Sequence, residues 1–123
     1  WKNSLMPAAL SFYDPLPTST TDFPKADRLI RGNPQRTTWL RHENNTLGFY
    51  CGEWACEPGA WKISYGPNEE ELFTVIQGHI RIIAKEGESR DYHPGDSCVI
   101  PAGFEGIFEV ISPCKKIFAI VER

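Results

Sequence analysis

From Thr37 onward the chain is a succession of short runs rich in Val, Ile, Phe and Tyr, each closed by a cluster of turn-forming residues. That alternation is the pattern of an all-β sandwich or barrel. No 3.6-residue apolar periodicity competes with it, so long helices are not expected. Strands are predicted over 37–42, 47–55, 60–65, 72–77, 79–84, 90–92, 97–100, 106–111 and 115–121.

Residues 1–36 follow a different rule. Pro7, Pro15, Pro17, Pro24 and Pro34 stand among Ser, Thr and Asp, a density that forbids long helix and permits only short extended pieces. The stretch reads as an irregular N-terminal arm attached to a barrel of residues 37–123. Its aromatics Phe12, Tyr13 and Phe23 are expected to pack on the barrel wall or on a partner subunit, and an arm of this kind predicts a homodimer.

A chain of 123 residues with 41% hydrophobic content can bury a core without disulfide or metal staples. Cys51, Cys56, Cys98 and Cys114 are too few and too unevenly spaced for a disulfide framework and read as mostly buried thiols. A formal charge of −3 with no basic run argues against nucleic acid or an anionic membrane as partner. No stretch reaches the roughly 18 apolar residues that span a bilayer, and Leu5–Leu10 is too short and Pro-broken for a secretory core. A soluble cytoplasmic protein is the expectation.

One segment predicts where side chains point. Gln77-Gly78 reads as a two-residue hairpin turn, which pairs Val75 with Ile80, Phe73 with Ile82 and Glu71 with Ala84. Paired residues share a face, and this face is apolar except for Glu71. It offers that carboxylate no charged partner. Since burying an unpaired carboxylate is costly, Glu71 needs a partner, a ligand or a proton.

At these residues the chain resembles the cupin superfamily. Its first motif ends in Glu, six residues, Gly, here Glu71 to Gly78; its second runs Gly, five residues, Pro-x-Gly, here Gly95 to Pro101-Ala102-Gly103. Gly52-Glu53-Trp54, the run Pro58–Tyr65, the run Ile100–Gly106 and Lys116-Ile117-Phe118 resemble one branch, the single-domain cupins of undetermined function related to the ethanolamine-utilisation cupin. The likeness covers about residues 30–123 and implies a single small antiparallel β-barrel of the jelly-roll type. Metal-binding cupins carry a His-x-His before the glutamate, whereas this chain has Tyr65-Gly66-Pro67-Asn68. The second motif's histidine falls at Gly106 and its asparagine at Val110. One glutamate does not meet the three or so protein ligands of a catalytic metal, so no metal or other cofactor is expected. His42, His79 and His93 read as surface residues.

The resemblance places the lost first-motif histidine at or beside Tyr65, on a strand where Trp61, Ile63 and Tyr65 alternate. Glu71 and Tyr65 are therefore the candidate catalytic pair, the phenol finding its hydrogen-bond partner in the carboxylate. Trp61, Phe73, Trp54, Phe108 and Lys116 are the candidate ligand-binding residues; ordinary core packing accounts equally for Trp61, Trp54 and Phe108, and for Lys116 a solvated strand-edge position outweighs pairing with a carboxylate inside the barrel. Three functions stay open. The first is a small-molecule-binding cupin, including metal-independent acid–base chemistry at a desolvated Glu71, of isomerase, epimerase or lyase type. The second is a non-catalytic binding or accessory protein, and the third a metal-dependent enzyme, which the missing histidines oppose.

Overall fold

Two long strands organise the molecule, which is known from a computed structural model describing residues 6–123. They are β6 (Glu69–Ala84) and β9 (Glu105–Glu122), paired antiparallel along almost their whole length. On its far side β9 meets β5 (Gly59–Ser64) along its first half and β4 (Phe49–Cys56) along its second. Likewise β6 meets β8 (Ser97–Ile100) with its first half and β7 (Ser89–Tyr92) with its second. Each long strand therefore runs through both walls, and the sheet curls into a jelly-roll barrel whose pairings are all antiparallel. β3 (Arg36–Asn44) extends the wall beyond β4.

The corners lie where the two long strands lose register together. Pairing shifts between Val75 and Ile80 on β6, opposite the 110–116 stretch of β9. Gly78 sits there with φ +84°, and a Cβ on it would lie 2.2 Å from Pro113 O. This corrects two sequence expectations: Gln77-Gly78 is not a hairpin turn, and 112–114 does not separate two strands. Gly and Pro mark bends inside a barrel strand as readily as they mark reversals, and local sequence does not distinguish the two. The expected inward face survives because the bulge moves the side-chain alternation by an odd step, as the turn would have done. Phe73, Val75, Ile80 and Ile82 are buried, and so is Glu71.

The four apolar side chains join Ile100, Phe108, Val110 and Phe118 in the core. Full burial of each is worth about 1.5–3 kcal/mol, which is what holds the two walls together. Cys56, Cys98 and Cys114 are buried free thiols, as expected; Cys51 is half-buried and also free.

The proline-rich stretch is extended and supplies an edge strand to each wall. β1 (Thr20–Asp22) pairs with β3 and β2 (Leu29–Arg31) with β5, with a single 3-10 turn, Ala26–Arg28, between them. Residues 1–5 of the arm, including Leu5 of the segment weighed as a secretory core, lie outside the described residues. Phe12 lies against the Arg41 guanidinium at 5.2 Å, and its carbonyl accepts from Arg41 Nη2 at 2.9 Å. Arg41 in turn pairs with the buried Glu53 at 2.6 Å on the outer wall. Tyr13 is 91% exposed and Phe23 51%, so of the three arm aromatics only Phe12 packs on the barrel. Among the described residues no helix is long and apolar enough to cross a membrane.

Candidate functional site

The first half of β6, the second half of β9, and strands β3, β4 and β5 converge on a cavity of about 520 Å³ inside the barrel. That is ample for a metabolite-sized ligand. Alternation along β5 turns Trp61, Ile63 and the following Tyr65 toward it; β4 supplies Trp54, and β9 supplies Phe108, Lys116 and Phe118. The loop after β8 fixes Tyr65 in place, since its amide donates to Phe104 O at 2.8 Å and Gly103 N donates to Gly66 O at 3.0 Å. The Pro-x-Gly turn of the second motif thus locates a residue of the first.

Polar contacts inside the cavity centre on Glu71. Tyr65 Oη donates to Glu71 Oε1 at 2.5 Å, and Lys116 Nζ donates to Glu71 Oε2 at 2.8 Å. The Lys116 ammonium also sits over three rings, 4.5 Å from the centres of Trp54 and Phe73 and 4.8 Å from that of Phe108. A buried cation among ring faces, bonded to a carboxylate, is stabilised by both. Burial, then the adjoining Glu71 charge, hold the Tyr65 phenol far above its ordinary value, so Tyr65 is a hydrogen-bond donor and not a phenolate.

The sequence expectation of a carboxylate without a charged partner on its face is therefore overturned. Lys116 stands opposite Val75 on β6 and opposite Trp54 on β4, on the same inner face as Glu71. A local hairpin could not reveal a partner supplied by the remote strand β9. Of the residues singled out from sequence, Glu71, Tyr65, Lys116, Trp54, Trp61 and Phe108 line the cavity together. Phe73 is fully buried beneath Lys116 and stays off the cavity wall. Trp61 stacks on Phe108 at 5.1 Å, and Trp54 meets Phe108 edge-on at 5.5 Å.

Sequence reasoning missed Arg36, Asp22 and Glu69, all on the cavity wall. Glu69 is half-buried, and its Oε1 accepts from Gly66 N at 3.1 Å. Arg36 had a usable signal, because it alternates with Thr38 on β3 and both point inward.

Two bent strands shared between two walls, a glutamate on the inner face and a glycine-bounded β8 define a cupin. More narrowly, the chain belongs to the family of EutQ-like cupin domains, whose model matches residues 44–118. Among solved structures it is similar to a protein of unknown function from Pseudomonas syringae pv. tomato, with a TM-score of 0.76 and 21% identity over 91% of this chain; the chain spans only 46% of that protein. It is also similar to the Clostridium difficile EutQ protein, with a TM-score of 0.63 and 22% identity, covering 81% of this chain and 79% of that one. Ectoine synthase from P. lautus shares the fold at a TM-score of 0.61 and 15% identity, over 70% of this chain and 63% of the other. No curated protein matches the sequence.

The residues present do not fit the transition metal that many cupins hold. At the glutamate the available groups are a protonated phenol and an ammonium, and the ammonium already takes one carboxylate oxygen. At Gly106 a Cβ would lie 2.2 Å from Ile83 O, so no side chain, histidine included, fits there without moving a strand. Val110 is a fully buried aliphatic. His79 is bonded to Asp91 Oδ2 at 2.9 Å with its ring 4.3 Å from that of His93, and neither these two nor His42 lines the cavity. Among the described residues no group of three His, Cys, Asp or Glu side chains is placed to hold a metal ion.

Proposed function

We propose that the barrel cavity binds a small molecule and that Lys116, Glu71 and Tyr65 form its polar floor, with metal-independent acid–base chemistry as the activity this floor suits best. The observation that carries the reading is the 2.8 Å Lys116–Glu71 pair at an aromatic-lined cavity. Next to a ligand carbonyl, the Lys116 ammonium stabilises negative charge developing on oxygen. Glu71 receives and returns a proton on the adjoining carbon. Enolisation, epimerisation and elimination all fit that division of labour. That the ectoine synthase barrel has the same fold supports enzymatic use of such a cavity.

A second reading, a binding protein without turnover, is favoured by one fact: both Glu71 oxygens and the Lys116 ammonium already have partners inside the protein. A thermal-shift screen of carboxylates, sugars and amino-acid derivatives tests binding, since a ligand of the native state raises Tm by mass action. At least one class should raise Tm in the wild type and not in Lys116→Met; a flat response across all classes would reject the cavity as a site. Deuterium uptake from D2O into the bound ligand, followed by NMR, then separates enzyme from binder.

A further inference from the structure

A second cavity, of about 290 Å³, adjoins the first, and the two share Arg36, Trp61, Ile63 and Tyr65. Its character is different. Four basic residues, Lys25, Arg28, Arg36 and Lys62, stand on its wall, and no acidic residue does. In the inner cavity, by contrast, Asp22, Glu69 and Glu71 stand with Arg36 and Lys116, and Lys116 is taken up by Glu71. The approach to the barrel interior past Trp61 is therefore electropositive although the chain as a whole carries a formal charge of −3. A low-dielectric cleft lined by one sign of charge concentrates ligands of the opposite sign.

Arg36 belongs to both cavities. Its guanidinium lies 5.3 Å from the centre of the Trp61 ring, which holds its plane in the mouth. Its Nε and Nη2 donate to the two carboxylate oxygens of Asp22, at 2.8 and 2.7 Å, the two-point geometry with which a guanidinium takes a carboxylate or a phosphate. Asp22 is an occupant that solvent reaches. Its side chain is 63% exposed against 21% for Arg36, and every residue of its three-residue strand β1 is exposed. Solvent around the Asp22 carboxylate leaves that side of the pair open to competition from an anion.

We infer that Arg36 is an anion-recognition residue, and that the ligand of the barrel is a small carboxylate or phosphate ester whose charged group replaces Asp22 on the Arg36 guanidinium while its body lies on Trp61 toward Glu71 and Lys116. The inference rests on the reading of the inner cavity as a binding site and adds the chemical class of ligand. Lys25, Arg28 and Lys62 supply the field that draws the anion in. The Asp22 carboxylate is its internal competitor, so the arm sets the threshold for binding.

Isothermal titration with four probes that share one aromatic body decides the matter: phenylacetate, phenyl phosphate, neutral phenylacetamide and cationic phenethylamine. One of the two anions should bind at least about tenfold tighter than the amide and the amine, and which of the two prevails tells carboxylate from phosphate recognition. Arg36→Met should reduce that anion to the level of the amide. Asp22→Asn, which leaves Arg36 in place, should tighten it, and this variant keeps the test valid should Arg36→Met fold poorly. Anion affinity indifferent to both substitutions overturns the inference. So does an amide or amine that binds as tightly as the anion, and if that binding is lost in Lys116→Met the cavity remains a site of another specificity. Absence of binding by all four at millimolar concentration overturns the inference and the reading of the cavity together.

Discussion

Lys116 and Glu71 meet at 2.8 Å although 45 positions separate them in the chain. Their side chains are 6% and 5% exposed, so each charge depends on the other for its stability inside the barrel. Neither neighbour along its own strand supplies that: the pair exists because β9 folds back along β6.

Removing one partner should accordingly cost more than removing both. Glu71→Gln or Lys116→Met alone strands a buried charge or carboxylate and should lower unfolding free energy by about 3 kcal/mol. The double variant should recover most of that loss, since two neutral side chains replace two charges. Urea unfolding of the four proteins measures the coupling; strictly additive losses would mean that the pair is not energetically linked.

Tyr65→Phe keeps the ring and deletes only the donor to Glu71 Oε1. The expected cost is about 1.5–3 kcal/mol, a buried hydrogen bond to a charged acceptor. Its core packing should be untouched, so the m-value in urea should not change.

Alkaline pH should destabilise the fold. Burial raises the Cys56 thiol to about 12 and the Cys114 thiol to about 11 from an ordinary 9, so both keep their protons in the native state at pH values where the unfolded chain has lost them. Their contribution is full below pH ~9 and is lost as pH rises toward 11 or 12, by up to about 1.4 kcal/mol per pH unit for each group. Tyr92, raised by burial to about 12, acts in the same direction from its ordinary 10. Urea midpoints should hold up to about pH 9 and fall from there to pH ~11; a constant midpoint over that range would contradict this assignment.

The same burial makes the thiols inert. With a disulfide reagent at pH 8, Cys56, Cys98 and Cys114 should react only after unfolding, while the half-buried Cys51 reacts first. Peptide mapping of the labelled native protein identifies the site.

Gly106→Ala should cost several kcal/mol, roughly 2–4, because its Cβ would lie 2.2 Å from the backbone oxygen of Ile83 on the neighbouring strand. Thermal denaturation is sufficient to see it. An unchanged Tm would reopen Gly106 to a histidine, and with it the metal site of other cupins.

Much of this was legible in the residues. Period-two alternation and turn clusters determined that the chain from Thr37 is all-β. The spacing of Glu71 to Gly78 and of Gly95 to Pro101-Ala102-Gly103 identified the cupin barrel and turned Glu71 inward. Trp61 and Tyr65 were turned toward the cavity by alternation and resemblance, because both report which face of its own strand a residue occupies, whereas for Trp54 and Phe108 core packing was an equal account. What tertiary structure alone decided is which strands lie side by side. Gly78 and Pro113 looked like turns and are the two halves of one corner; Lys116 looked like a strand-edge lysine and is the counter-charge of Glu71; Arg36 followed the arm's last proline and stands in the mouth of the cavity. Alternation is a property of one strand and is written locally, whereas register between β6 and β9 is set by packing across the barrel, which no short stretch of sequence contains.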